Sequence, residues 1–329
     1  MPIETASLTS KVRAIEAGGH VVAIHFVGES AAIATGKGEI LIVGGNKALI
    51  KAHKGAILAA AGDGKRIFTT GDDGKLIATD IEGEGETLAD SGGKWIDQVA
   101  LGPSGAIAWS VGKAAFVRAN KGERSLEVRS TVGGLAFAPK GLRLAIAHYN
   151  GATLWFPNAD AKPEMLAWKG SHLGALFSPD GRFLVTTMQE QALHGWRLAD
   201  GQHMRMSGYP TRVRFLSFTA NEEWLATSGA QEVILWPFRT RDGPMGKEPF
   251  MLAPGPKDTR VTAVACHPKQ ELLAAGYSDG TVMLVRLADA AEVLVSRPSG
   301  APVSALAWRG DGKILAFGTE GGKAGLLTV

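Results

Sequence analysis

The chain contains a single cysteine, Cys266, in 329 residues. An internal disulfide is therefore impossible, no covalent staple can carry the fold, and a cytoplasmic location is the plain expectation. Aromatic side chains make up only 7% of the sequence, too few for a core built mainly on large rings. No apolar run reaches the roughly 18 residues a membrane-spanning helix needs. Met1-Pro-Ile-Glu-Thr-Ala-Ser7 lacks a basic start followed by an apolar stretch, so neither a secretory leader nor a membrane partner is expected. Long helical periodicity is missing throughout. Charge of one sign is scarce as well: 35 Lys plus Arg face 32 Asp plus Glu, a formal charge of +3. Nucleic-acid binders concentrate basic residues in a patch or stripe, and no block of five like charges occurs here, so no nucleic-acid partner is expected. The small clusters Arg239-Thr-Arg241 and Lys11-Val-Arg13 read as solvated strand edges, where basic residues block unwanted pairing.

The usual marks of catalysis are also absent. There is no Gly-x-Ser-x-Gly elbow. Cys266 stands beside His267, but neighbours in a strand face opposite sides, so the two make a poor thiolate–imidazole pair. Gly64-Lys65, Gly74-Lys75, Gly93-Lys94 and Gly112-Lys113 are not followed by Ser or Thr and lack phosphate-loop spacing, which makes them turns. The eight histidines form no His-x-x-x-His pattern, and Asp72-Asp73 lacks the alternating acids of a calcium loop. No catalytic residue, cofactor or metal is expected from these patterns.

What the sequence has is glycine, 43 residues of it, and short β-favouring runs between turn residues. Thr259-Arg-Val-Thr-Ala-Val-Ala-Cys-His-Pro268, Glu271-Leu-Leu-Ala-Ala-Gly-Tyr277, Ser278-Asp-Gly-Thr-Val-Met-Leu-Val-Arg286 and Ala291-Glu-Val-Leu294 read as four antiparallel strands, with Asp279-Gly280 turning the middle pair. The pattern recurs. Its anchors, the last apolar positions of each first strand, are Phe26, Ala61, Leu101, Phe137, Phe177, Phe218, Cys266 and Trp308, close to the roughly 40–45-residue period of a four-stranded unit. The spacing predicts eight units in one domain over 1–329, with seven and one degenerate unit as the alternative. The last unit ends after its third strand, Lys323 to Thr328. The segment 10–17 is expected to supply its outer strand and so close a ring, with 1–9 a loose terminus.

Several stretches resemble the WD-repeat (Trp-Asp) β-propellers. Thr69-Thr-Gly-Asp-Asp-Gly-Lys-Leu-Ile-Ala-Thr-Asp80 and Gly276-Tyr-Ser-Asp-Gly-Thr-Val-Met-Leu-Val-Arg286 are similar to the family's second strand, turn and third strand. The third strand's Trp stands at Trp155, Trp196 and Trp236, while Thr79 and Val285 replace it in those two units. Gly19-His20 resembles the opening Gly-His, with His53 and His172 in equivalent places. The resemblance implies an all-β propeller of four-stranded antiparallel blades, and a hydrogen-bonded network in the second unit linking His53, Thr70 and Asp73. It also implies a non-enzymatic scaffold that binds a protein or peptide and is monomeric outside its complex.

The loops entering each unit are where partner contacts are expected, because loops vary without disturbing strands and because Arg and aromatic side chains concentrate binding energy. The candidates are Lys54, Trp95, Tyr149, Tyr209, Arg212, Arg260 and Tyr277. Trp95 can instead fill the rim of the core. A second reading is a propeller hydrolase or lactonase with a metal in an axial channel, where His20, His53 and His172 would converge. The longest insertion, Arg239 to Pro249, reads as an exposed loop.

Overall fold

Two compact units make up the chain. One, the split unit, combines Met1–Ile50 with Arg214–Val329; the other, the continuous unit, is Lys51–Val213. The structure, a computed structural model, describes residues 6–45 and 48–329. Strands dominate both units, and no helix among the described residues is long and apolar enough to cross a membrane.

In the split unit, Val21–Val27, Ser30–Thr35, Glu39–Val43 and Ala48–Lys51 form one antiparallel sheet in chain order. Leu216–Phe218, Trp224–Thr227, Val233–Pro237 and Phe250–Leu252 form a second, and Val261–Cys266, Leu272–Tyr277, Val282–Arg286 and Glu292–Ser296 a third. The fourth holds Val303–Trp308, Ile314–Thr319 and Lys323–Thr328, completed by Val12–Glu16 on the outside. The second and third strands of a sheet are covered on both faces. Ser30–Thr35 is buried at every position, which is why these strands read as unbroken apolar runs. Outer strands meet water and alternate, as Ala48–Lys51 does. Neighbouring sheets share cores: Ile15, Val21, Ile24, Ile33 and Leu41 pack with Ala305, Ala316 and Ala324.

The continuous unit opens with Ile57–Gly62, Ile67–Gly71, Lys75–Thr79 and Gly85–Asp90, then Val99–Leu101, Ile107–Val111, Ala114–Ala119 and Gly122–Glu127. Its last sheet is six-stranded: Gly134–Phe137, Leu144–Trp155, Glu164–Phe177, Phe183–Met188, Leu193–Arg197 and His203–Met206. Phe68, Leu76 and Ile96 pack on Ile107 and Trp109, and Ala138, Ala145 and Leu154 on Phe177, Leu184 and Trp196. Inner strands come close enough to exclude side chains: a Cβ on Gly134 would lie 2.6 Å from the Gly174 Cα.

These ladders correct the expected eight blades. The described strands hydrogen-bond into seven sheets, and none closes on itself. Seven arises not from a degenerate unit but because the fourth and fifth expected units share the six-stranded ladder. Glu164–Phe177 runs on from pairing with Leu144–Trp155 to pairing with Phe183–Met188, and Tyr149 lies opposite Ser171. Gly170, at φ 111°, and a register shift between His172 and Gly174 interrupt it, but without proline nothing ends the strand.

The amino-terminal segment differs too. Residues 1–5 of the expected loose terminus lie outside the described residues. Ala6–Ser7, however, pairs parallel with Val293 and Leu294, and the Leu8 N–H donates to the Leu294 carbonyl at 2.8 Å. Thr9–Lys11 is a 3-10 turn, so the outer strand starts at Val12, not residue 10, and runs antiparallel to Lys323–Thr328 with Val12 opposite Leu327.

Candidate functional site

Antiparallel order gives every sheet two ends. Turns between the first and second and the third and fourth strands lie at one end. In the four-stranded sheets the turn between the second and third strands lies at the other, beside the connection from the preceding sheet; in the six-stranded sheet the positive-φ bends at Asn150-Gly151 and Gly170, inside Leu144–Trp155 and Glu164–Phe177, take that place. In the continuous unit these latter loops are tied one to the next. The Lys54 N–H donates to Asp73 (3.0 Å) and the Ser91 N–H to the Gly74 carbonyl (2.8 Å). The Ser110 N–H donates to the Gln98 carbonyl (3.3 Å) and the Val128 N–H to the Lys113 carbonyl (2.9 Å). The Tyr149 N–H reaches the Ser130 hydroxyl (2.9 Å) and the Gly170 N–H the Asn150 side chain (3.3 Å). The Gln189 N–H then donates to the Ser171 carbonyl (2.9 Å), and the Arg212 guanidinium to the Gln189 side-chain oxygen (2.8 Å). Backbone groups that loops would otherwise leave to solvent are thus paired, and the whole end is held as one surface.

Its best-formed element is built on His53. The buried imidazole lies 2.9 Å through Nδ1 from Asp73 Oδ1 and 2.9 Å through Nε2 from the Thr69 hydroxyl. A carboxylate only accepts, so Nδ1 carries the proton toward Asp73. The resemblance gave Thr70 this place, which is corrected: the Thr70 hydroxyl donates instead to the Ala59 carbonyl at 3.4 Å. Burial pushes the Asp73 carboxyl upward, but the His53 hydrogen bond and the Lys54 and Lys75 N–H groups outweigh it and hold the group below its ordinary 3.8. Gly71 makes room, since a Cβ there would lie 2.5 Å from His53 Nδ1.

Of the candidate contact residues in this unit, Trp95 and Tyr149 stand out at 63% and 57% exposure. Trp95 therefore does not fill the rim. It follows the positive-φ pair Gly92 and Gly93, which throws it outward, while the next residue, Ile96, is fully buried. Asn150 and Gly151, both at positive φ, turn the chain beside Tyr149, and His148 below reaches Thr153 at 2.8 Å. Lys54 is exposed and Arg212 half-buried. Tyr209 is buried at 4% and offers no contact surface. In the split unit Arg260 is exposed, but Tyr277 is fully buried, its hydroxyl donating to the Ala253 carbonyl at 2.8 Å. Burial holds the Tyr277 phenol well above its ordinary 10.0.

Two other groups bear on chemistry. Cys266 donates from its thiol to the Ser217 carbonyl (3.4 Å) while His267 Nε2 lies 3.0 Å from the Gly312 carbonyl, so the neighbours point apart. Burial pushes the Cys266 thiol up to about 12, where the reactive thiolate does not form at neutral pH. Sequence reasoning missed a cluster in the continuous unit. His194, fully buried, stacks on Trp168 at 4.1 Å and meets Trp196 edge-on at 4.7 Å, with His203 at 5.3 Å and His172 at 6.2 Å. Neither ring nitrogen of His194 has a hydrogen-bond partner. Alternation pairing His194 with Trp196 on one face of Leu193–Arg197 was the available signal. Among the described residues, no group of three or more His, Cys, Asp or Glu is placed to hold a metal ion. His53 and His172 are each tied to a hydroxyl of their own sheet instead, and His20 is exposed.

Residues 268–329 match the family described as the anaphase-promoting complex subunit 4 WD40 domain, and residues 249–285 match the WD domain, G-beta repeat. No curated protein matches the chain. Among solved structures, the fold is similar to the computationally designed Ika8 protein, at 17% identity over 95% of this chain and 98% of that one, with a TM-score of 0.75. At that identity the likeness concerns the fold alone.

Proposed function

We propose that this chain, which matches WD-repeat family models over residues 249–329, acts as a non-enzymatic scaffold, binding another protein through the tied loop end of its continuous unit. WD-repeat propellers commonly mediate protein–protein interaction. The observation that carries the assignment to this end is the exposure of Trp95 and Tyr149 on loops fixed by hydrogen bonds. Large aromatic side chains held in place lose little entropy on binding and dominate interface energetics. Lys54 and Arg212 flank them in the same series of loops. Tyr209 and Tyr277, being buried, support the surface and do not contact the partner.

The test is affinity purification with mass spectrometry on the full chain, comparing the natural protein with the double variant Trp95→Ala, Tyr149→Ala. The expected result is loss of the same partners that the natural protein retains, with an unchanged thermal midpoint. Identical partner sets from both proteins would remove the assignment to this end.

A further inference from the structure

The continuous unit distributes its ion pairs unevenly. At the end opposite the tied loops, four arginines are matched by a nearby acid, Arg66 with Glu86 (3.5 Å), Arg118 with Glu123 (2.9 Å), Arg182 with Asp180 (2.5 Å) and Arg197 with Asp200 (2.6 Å), and the exposed Lys65, Lys121, Lys140 and Lys162 share that end with the exposed acids Glu82, Glu84, Asp160 and Glu164. At the tied end the exposed cations of the loops are Lys54, Lys94, Lys113, Arg129 and Lys169, while Lys75 and Arg212 are half-buried and the Arg212 guanidinium is taken up by Gln189. None of the five exposed cations joins an ion pair among the described residues. The aspartates at this end are engaged by the loops, Asp72, Asp73 and Asp97 half-buried and Asp90 exposed. Asp72 accepts from the Ala56 N–H (2.8 Å), Asp73 from His53 and Lys54, Asp90 from the Gly92 N–H (2.9 Å) and Asp97 from the Ser110 hydroxyl (2.8 Å). Their lone pairs are used in holding the loops. Glu127 and Glu190 are the exposed carboxylates left over.

The surface therefore presents ammonium and guanidinium donors without acceptors, distributed one or two to a loop around two exposed aromatic rings. We propose that its partner is an extended, carboxylate-rich segment of another protein that carries an apolar or aromatic residue between its acidic ones. The proposal rests on the scaffold reading above. Four of the five cations are lysines, point charges that suit single carboxylates, whereas phosphate recognition favours the paired donors of arginine. A nucleic acid is the poorer fit, since a phosphate backbone calls for a continuous basic stripe. Here the cations are separated by loops of glycine, serine and threonine. Acidic side chains would supply the missing acceptors while the apolar residue lies against Trp95 or Tyr149. Each exposed pair is weak alone, so affinity comes from several together and falls with salt.

Fluorescence anisotropy on the full chain tests this with three labelled probes: a Glu-Gly repeat peptide with a central Phe-Leu, the same peptide with Gln for Glu, and single-stranded oligodeoxythymidine. The Glu peptide is expected to bind, with salt-sensitive affinity. The combined variant Lys54→Gln, Lys94→Gln, Lys113→Gln, Lys169→Gln should weaken it about tenfold or more. Lys121→Gln, Lys140→Gln, Lys162→Gln, at the opposite end, should leave it unchanged. Equal binding of the Glu and Gln peptides, tighter binding of the oligonucleotide, or no binding of the Glu peptide would overturn the acidic partner. If both peptides bind alike and both are lost in Trp95→Ala, Tyr149→Ala, the scaffold reading stands while this one fails. Glu-peptide binding that survives Trp95→Ala, Tyr149→Ala removes the site itself.

Discussion

Mild acid should destabilise this protein through one histidine. His194 is fully buried against Trp168 and Trp196, and no acceptor stands ready for a second ring proton. Burial first, then the like charges of His172, His203 and Arg205, hold its pKa down to about 3 from the ordinary 6.5. In the unfolded chain the same ring takes its proton near 6.5. Between those values the unfolded state binds more protons than the folded one, so stability falls as pH drops through 6.5 and continues to fall toward 3. Each pH unit below 6.5 costs about 1.4 kcal/mol, so at pH ~5 the loss from His194 is about 2 kcal/mol relative to pH ~7.5. His172, also lowered by burial, adds in the same direction. Asp73 and Asp180 are held below 3.8 and lose their contribution only in stronger acid, while Glu292, raised by burial, works in the opposite sense near its own range. The assay is the thermal midpoint at pH ~7.5 and ~5 for the natural protein and His194→Phe, which keeps a ring on Trp168 but cannot titrate. A fall of about 3–6 °C is expected in the natural protein, reduced by most of that amount in the variant. At pH ~7.5 the variant should be no less stable, because replacing two unpartnered buried nitrogens removes a desolvation cost of about 1–3 kcal/mol. The same pH dependence in both proteins would refute the reasoning.

Three further outcomes follow from the geometry. Thr69→Val leaves His53 Nε2 without a partner and should cost about 1–3 kcal/mol in urea unfolding, whereas Thr70→Val, losing only a 3.4 Å bond, should cost clearly less. Gly71→Ala places a methyl against His53 and Asp73. It should destabilise by about 1–3 kcal/mol and shift the His53 imidazole resonances in proton–nitrogen NMR, while an unmoved spectrum would contradict the packing. Ile15→Ala empties a buried site where the outermost strand meets Ala305, Ala316 and Ala324, at a cost of about 2–4 kcal/mol read from the thermal midpoint; an unchanged midpoint would mean that this strand does not hold its sheet.

Much of the strand pattern was readable because hairpin signals are local. Asn150-Gly151 turns where the dipeptide indicates, Trp155, Trp196 and Trp236 lie on strands, and the insertion between Val233–Pro237 and Phe250–Leu252 sits where proline, glycine and charge collect. Tyr277 was readable in principle, since it is in phase with Leu273 and Ala275 and shares their core. Its place beside a turn suggested exposure, but alternation carried the better signal. The Thr69 and Thr70 exchange is a one-residue slip, which reverses the face of a strand. Ala6–Ser7 is too short to carry any pattern, and its parallel pairing depends on an edge almost three hundred residues away.

Turn chemistry and apolar runs alone determine that this chain forms short antiparallel strands in repeated groups, because both act between residues a few positions apart. The tertiary structure decided how many ladders those strands make, which aromatic rings meet water, and which carboxylates are spent on backbone N–H groups. Those outcomes depend on the sheet that packs alongside, and its residues are distant in the sequence.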